Sequence, residues 1–451
     1  MEKTLTERDR QVIWHPYTQH KNNLPPIPVT HGKGSLLFDD KGNSYIDAIS
    51  SWWVNIHGHG HPYIAEKVYE QAKKLEHVIF TGFTHEPAVQ LAERLLRILP
   101  GDFSKIFYSD NGSTAVEVAI KMAIQYWRNQ KSEPTVNENT KISDASQEMT
   151  PLPRTKILAF HNSYHGDTFG AMSVSERSVY TAAFTDYLFE VIFIDTPTPE
   201  NIGNLQSLIG QHGGEIACFI YEPLLQAAGG MRLYEAEMMD QLLKTLQAHS
   251  IICIADEVLT GFGRTGKLFA CEYLSHKADI ICLSKGLTGG TMALGVTAAT
   301  ERIFQAFYHD DKRKTFLHGH SFTANPLACT ASLASLDLLQ KDACLPRIQA
   351  IASRHRQFAE QIKQYPIVKN PRTIGTIIAF EIETGKDGYI NPISAIITAE
   401  AFQHGIYLRP MGNTVYIMPP YCITEEEMDQ VYSFLVHWVE NFVSAPTTSQ
   451  G

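Results

Sequence analysis

The sequence predicts an α/β fold, with a large domain built on a mostly parallel sheet and a smaller α+β domain assembled from both chain ends. Three observations carry this expectation. Short continuous apolar runs recur from residue 106 onward: KIFYS, KILAF, EVIFID, ACFIYE, IICIADE and DIICLSK. Helical or loop segments separate them, and a parallel sheet covered on both faces requires that alternation. The chain has 451 residues, enough for two lobes and a large core.

Taken in order, residues 1–61 are expected to pack with residues 334–451 as the small domain. Residues 62–333 form the large one. Directly after the first apolar run, GSTAVEVAIKMAIQYW places Ala119, Met122, Ala123 and Tyr126 on one helical face. Residues 129–156 are polar and proline-bearing, the composition of a surface insertion. LACTASLASLDLLQ begins a long helix, and GTIIAFEIE and NTVYIMPP supply strands of the C-terminal lobe.

Composition excludes several classes. Hydrophobic residues make up 44% and charged residues 19%, with a formal net charge of -10. That charge disfavours a binder of nucleic-acid backbones. MEKTLTERDRQVIW lacks the apolar stretch of a signal peptide, and no segment approaches the roughly 20 apolar residues of a membrane span. The seven cysteines include no CxxC pair and sit largely in apolar runs. They read as buried hydrophobes in a reducing, cytoplasmic compartment.

Ligands of open α/β sheets bind outside the carboxyl ends of the strands. Three apolar runs lead there to a reactive residue: Glu222, Asp256 and Lys285. One carboxylate at a strand end is as readily a helix cap; three such residues together point to chemistry. A lysine at the tip of a buried strand is partly desolvated, as an amine nucleophile must be. Lysine beside an acid suits pyridoxal phosphate, whose ring nitrogen needs an acidic partner. The phosphate needs N–H groups at a helix start, which DNGSTAVEVA offers at Gly112 and Ser113. Tyr164 in NSYHGDT is a candidate aromatic face for the ring.

IADEVLTGFGRTGKLFA, LSKGLTGG, YEPLLQAAGGM and HGHSFTANPLA together resemble the class III aminotransferases, which are fold-type I pyridoxal-phosphate enzymes. The resemblance spans nearly the whole chain. It implies that Lys285 carries the cofactor as an imine and later acts as the general base. It also implies that Asp256 pairs with the ring nitrogen, that Gln226 lies near the ring and that Tyr164 stacks on it. Gly112 and Ser113 would hold the phosphate. Ser321, where the family usually has threonine, would reach the phosphate of a partner subunit, which implies a homodimer.

IWHPYTQ and SSWWVNIHGHGHP resemble one branch of that family, which serves biotin biosynthesis. The branch implies two small-molecule substrates, S-adenosylmethionine as amino donor and 7-keto-8-aminopelargonate as acceptor, giving 7,8-diaminopelargonate. A long acceptor with a distal carboxylate needs an apolar channel and a cation. Trp52 and Trp53 would wall the channel, and Tyr17 would supply a hydroxyl near the reacting end. Arg409 would take the carboxylate through its planar fork. Many class III relatives gate that arginine with a glutamate where this chain has Ala228. Gly319, Asp167 and Tyr416 complete the expected substrate contacts, and Arg264 stands between a substrate contact and a helix-end charge.

Two motifs are decoys. GFGRTGKL nearly satisfies a phosphate-binding loop, but Leu268 occupies the position where a hydroxyl must ligate magnesium. His57, His59 and His61 alternate, which turns His59 away from the other two, and no carboxylate or cysteine joins them in the segment. No metal is expected. The alternatives are a class III transaminase of ω-amino acids or diamines, the same biotin step with lysine as donor, and a non-catalytic binding protein on this fold.

Overall fold

The structure, a computed structural model, describes residues 3–130, 154–341, 343–385 and 388–444. All but the ends of the insertion expected at 129–156 lies outside the described residues. The chain divides into two compact units, Glu66–Leu339 and Met1–Ala65 with Gln340–Gly451.

The first unit is built on a seven-stranded sheet. Its strands are β1 (Phe103–Ser109), β2 (Lys156–Phe160), β3 (Ile192–Ile194), β4 (Ile216–Tyr221), β5 (Ile252–Asp256), β6 (Ile280–Leu283) and β7 (Gly295–Thr300). They lie in the order β1-β7-β6-β5-β4-β2-β3. Neighbours from β6 to β3 are parallel. Only β7 runs against the rest, antiparallel to both β6 and β1. The six apolar runs are six of these strands, and every residue of β4, β5 and β6 is buried. This is the α/β class that the alternation predicts.

Helix Gly112–Asn129 covers one face. Asn111 caps it, its side-chain oxygen accepting from the Thr114 amide at 2.9 Å while the Thr114 hydroxyl accepts from the Asn111 amide at 3.1 Å. Ala115, Ala119, Met122, Ala123 and Tyr126 pack in one cluster with Ile157, Ile220, Ile254 and Cys282 from the strands. Strand β7 escapes a hydrophobicity reading because GVTAAT is mostly small residues. Small side chains are what the helix above requires: Thr297 donates its hydroxyl to the Ala115 carbonyl at 2.8 Å, and Ala299 packs in the same cluster as the helix.

The second unit holds two sheets. Val29–Lys33, Leu36–Asp39 and Ser44–Asp47 form an antiparallel meander, and Ile406–Tyr407 joins Ser44–Asp47 in parallel. Val368–Ile374, Ile377–Ile382 and Thr414–Ile417 form an antiparallel sheet. Helices Cys344–Ile362, Ile393–Gln403 and Glu425–Ser444 belong to the same unit. Six of the seven cysteines are buried, Cys422 is half-buried, and all seven are free thiols. No described helix is long and apolar enough to cross a membrane.

The turn after β5 is pinned from below. Glu257, fully buried, accepts the Thr260 hydroxyl at 2.6 Å and the amides of Ala270 and Cys271 at 3.0 and 2.7 Å. Glu257→Ala would strand two buried N–H groups, so it should destabilise the chain by roughly 2–6 kcal/mol. Denaturant melts would register this as a lowered midpoint, and an unchanged midpoint would remove the pin.

Candidate active site

Strands β4, β5 and β6 are adjacent and parallel, so their carboxyl ends open on one edge. Asp256 is the last residue of β5 and lies level with Cys282 of β6. Glu222 follows β4, and Lys285 follows β6 by two residues. Lys285 adopts φ 47, a left-handed conformation that an unbranched L side chain tolerates only at a cost. Such strain on a lysine at a strand tip marks a position held for its amine.

Burial lowers the Lys285 amine from 10.5 to about 8; the charges of Asp256 and Glu222 oppose this, and Arg264 adds to it. Burial pushes the Glu222 carboxyl up to about 7, with His165 opposing and Asp256 adding. Glu222 is occupied as a bracket: its oxygens accept the amides of Tyr164 and Ala227, each at 3.0 Å. It thereby ties the loop carrying Tyr164 to the turn carrying Gln226, and Gln226 in turn donates to the His161 carbonyl at 2.6 Å. Arg264 is 1% exposed and lies in a run of turns rather than at a helix end, which removes the helix-end reading.

Asp256 has a partner that the sequence reading missed. His165 Nδ1 stands 2.7 Å from Asp256 Oδ2, and Oδ1 accepts the Val258 amide at 3.0 Å. The available signal was the histidine next to Tyr164, one residue beyond the expected ring-stacking position. The helix start closes on the same place. A Cβ on Gly112 would lie 2.6 Å from Val258 Cγ1, so only glycine allows the helix to approach the Asp256 turn so closely. A Cβ on Gly166 would meet Ser113 Oγ at 2.4 Å, and Ser113 shares a 2.8 Å hydroxyl–hydroxyl bond with Thr168. Segments 112–113, 164–168, 222–227, 256–258 and 285 therefore converge. Asp167 is exposed on that loop, while Gly319 and Ser321 lie on a separate exposed stretch. GFGRTGKL is followed by a 3₁₀ turn at Ala270–Tyr273 rather than by the α-helix that a phosphate loop opens.

The other unit gathers a second group. Trp52 lies under Arg409, whose guanidinium carbon is 4.3 Å from the ring centroid, and Tyr17 meets Trp52 edge-on at 5.4 Å. Trp53, 5% exposed, donates its indole N–H to the Tyr416 hydroxyl at 3.0 Å. Five of the sequence-derived substrate residues are thus one cluster.

A half-buried lysine and a buried aspartate at the tips of adjacent parallel strands, in this strand order, match the fold-type I architecture of pyridoxal-phosphate enzymes. Residues 17–439 match the sequence family described as Aminotransferase class-III. An adenosylmethionine-8-amino-7-oxononanoate aminotransferase of Synechococcus elongatus is 44% identical over 93% of this chain and 96% of its own. Its namesake from Geobacter sulfurreducens is 36% identical over 99% and 98%. The crystal structure of the Methanocaldococcus jannaschii enzyme of that name superposes with a TM-score of 0.89 at 34% identity, covering 97% of this chain and 98% of that one. An omega transaminase from Pseudomonas jessenii, solved in complex with PMP, shares the fold at 22% identity, with a TM-score of 0.86 over 97% of this chain and 98% of its own. The chain belongs to the class III aminotransferases, a pyridoxal-phosphate-dependent family.

The residues present fit that cofactor. They supply a desolvated amine with a lowered pKa, a carboxylate fixed by a histidine and a backbone amide, and a glycine-opened helix start with a serine hydroxyl. Because the Lys285 amine is neutral above about 8, its capture of added pyridoxal phosphate by the cofactor-free chain should accelerate up to that pH and then level off. Borohydride trapping across a pH series would measure this. Capture that keeps rising toward 10.5, the ordinary lysine value, would mean that the amine is not desolvated.

Proposed function

We propose that this aminotransferase transfers an amino group from S-adenosylmethionine to 7-keto-8-aminopelargonate, giving the 7,8-diaminopelargonate of biotin biosynthesis. The observation that carries the reaction type is the desolvated Lys285 amine, which feels the charge of Asp256 on the neighbouring strand. The substrate pair is supported by the shared name of the relatives at 44% and 36% identity. The aromatic–arginine cluster, whose chemistry suits an apolar chain ending in a carboxylate, adds to that support.

Pyridoxal phosphate, when bound, supplies an electron sink for the carbon that loses its proton. Lys285 Nζ would act as the general base for the proton on the donor's amine-bearing carbon, a role worth about 10²–10⁴-fold. On the acceptor the same nitrogen moves a proton in the opposite sense. Asp256, oriented by His165 and the Val258 amide, would keep a proton on the cofactor's ring nitrogen. Gly112 and Ser113 would hold the phosphate, Tyr164 would cover the ring, and Gln226 would lie near it. Arg409 would bind the acceptor carboxylate, Trp52 and Trp53 would wall its channel, Tyr17 would supply a hydroxyl near the reacting end, and Tyr416, Asp167 and Gly319 are the remaining proposed substrate contacts.

The enzyme is proposed to work in the cytoplasm as a homodimer in which Ser321 reaches the phosphate held by the partner. The run around that serine suits an interface, since Leu317 is 79% and Phe322 63% exposed.

Three measurements test the reading. Donors offered singly should separate: adenosylmethionine bleaches the visible-edge absorbance of the bound cofactor, whereas lysine and γ-aminobutyrate leave it. Bleaching by lysine alone would transfer the assignment to the lysine-dependent step. Lys285→Ala should lose at least about 10²-fold in turnover while still taking up cofactor. Arg409→Ala should weaken the acceptor by roughly 10-fold or more while sparing the donor, and equal losses for both would remove its role.

A further inference from the structure

The histidine run that suggested a metal has a different use. The fold brings His59 the carboxylate that its segment lacks: Nε2 lies 2.8 Å from Asp47 Oδ2, and Nδ1 lies 3.2 Å from Asn55 Nδ2. An amide nitrogen can only donate, so Nδ1 accepts and Nε2 carries the proton toward Asp47. Asp47 has no exposed surface, and its Oδ2 also accepts the Ser51 hydroxyl at 2.9 Å. Its Oδ1 accepts the Ile49 amide at 3.3 Å. His59 is seated in turn by backbone bonds exchanged with Gly34, at 2.7 and 3.2 Å. Gly32 lies so close that a Cβ there would stand 2.5 Å from His59 Cβ.

What Asp47 grips is a strained turn. Ser50, Ser51 and Trp53 all have left-handed backbone, at φ 52, 60 and 69. None is glycine, so each disfavours the shape it holds. Ties at both ends and in the middle keep it: Ser50 Oγ donates to the Met418 carbonyl at 2.8 Å, Ser51 to Asp47, and Trp53 to Tyr416. The product of the strain is the direction of two indoles, Trp52 flat against Arg409 and Trp53 against Tyr416.

We propose that Asp47 and His59 are a positioning pair for acceptor recognition. They hold the Ser50–Trp53 turn so that Trp52 forms a platform orienting Arg409 toward the acceptor carboxylate. The pair acts through the turn and is not assigned a substrate contact. This inference rests on the reading of Arg409 given under the proposed function.

The holoenzyme variants Asp47→Asn and His59→Gln test it, with Ser51→Gly as the third. Glycine accepts the left-handed backbone without strain and removes only the hydroxyl tie, so Ser51→Gly guards against a folding defect. Each variant should raise the acceptor KM about tenfold while kcat and the donor-only half-reaction stay within about twofold. The near-UV circular dichroism of the tryptophans should weaken in the cofactor-free chain as well. An acceptor KM unchanged in folded variants, or equal losses in both half-reactions, overturns the proposal. If the wild-type chain fails to aminate the acceptor, the proposed function falls, and the dichroism then judges the pair: an unchanged tryptophan band in Asp47→Asn overturns it.

Discussion

The large unit depends on holding down the pKa of one amine beside two acids. Removing Lys285 from water favours the neutral form, while Asp256 and Glu222 favour the ammonium, and desolvation is the larger effect. The sheet makes this balance possible because β4, β5 and β6 are parallel neighbours buried throughout, so their ends share one water-poor edge. Had any of the three run antiparallel, its terminal residue would have emerged at the opposite edge. The fold therefore contributes direction as much as burial, and the antiparallel strand is β7, which brings no reactive side chain.

The carboxylates at that edge divide their work by their hydrogen bonds. Glu222 spends its oxygens on two backbone amides and becomes a clamp between loops. Glu257 does the same for the turn after β5. Asp256 keeps one oxygen on the Val258 amide and the other on His165, an arrangement that fixes the plane of the carboxylate. Of three acids within two strand ends, two thus clamp backbone and the third, Asp256, is the one proposed for the chemistry; sequence position alone does not tell them apart.

That limit defines what could be read from the chain. The apolar strands were legible because continuous burial writes itself as continuous hydrophobicity. Lys285 and Asp256 were legible because a charged residue ending such a run is conspicuous. Strand β7 was hidden by its small residues, whose size answers to the helix packed above them and not to any local preference. His165 and the Asp47–His59 pair were hidden for another reason. Each joins groups separated in sequence, by 91 residues in the first case and 12 in the second, and no periodicity encodes such a meeting. The histidine run was visible, but its acceptor came from the end of a neighbouring strand.

Backbone strain links the two functional clusters, though they belong to different units. Lys285 holds a left-handed turn that aims an amine, and Ser50, Ser51 and Trp53 hold another that aims two indoles. A relaxed backbone would be easier to fold, so the strain persists only where surrounding bonds over-determine it. For Lys285 those constraints come from the sheet edge, which the reaction itself requires. For the Trp52 turn they come from bonds to Met418 and Tyr416 and from a partly buried histidine–aspartate bond, which proton transfer does not require. The chemistry-bearing residues belong to Glu66–Leu339 and the arginine–aromatic cluster to the other unit. On the proposed reading, substitutions in the second cluster would alter which carbon chain is accepted while the lysine, the aspartate and their sheet stay as they are.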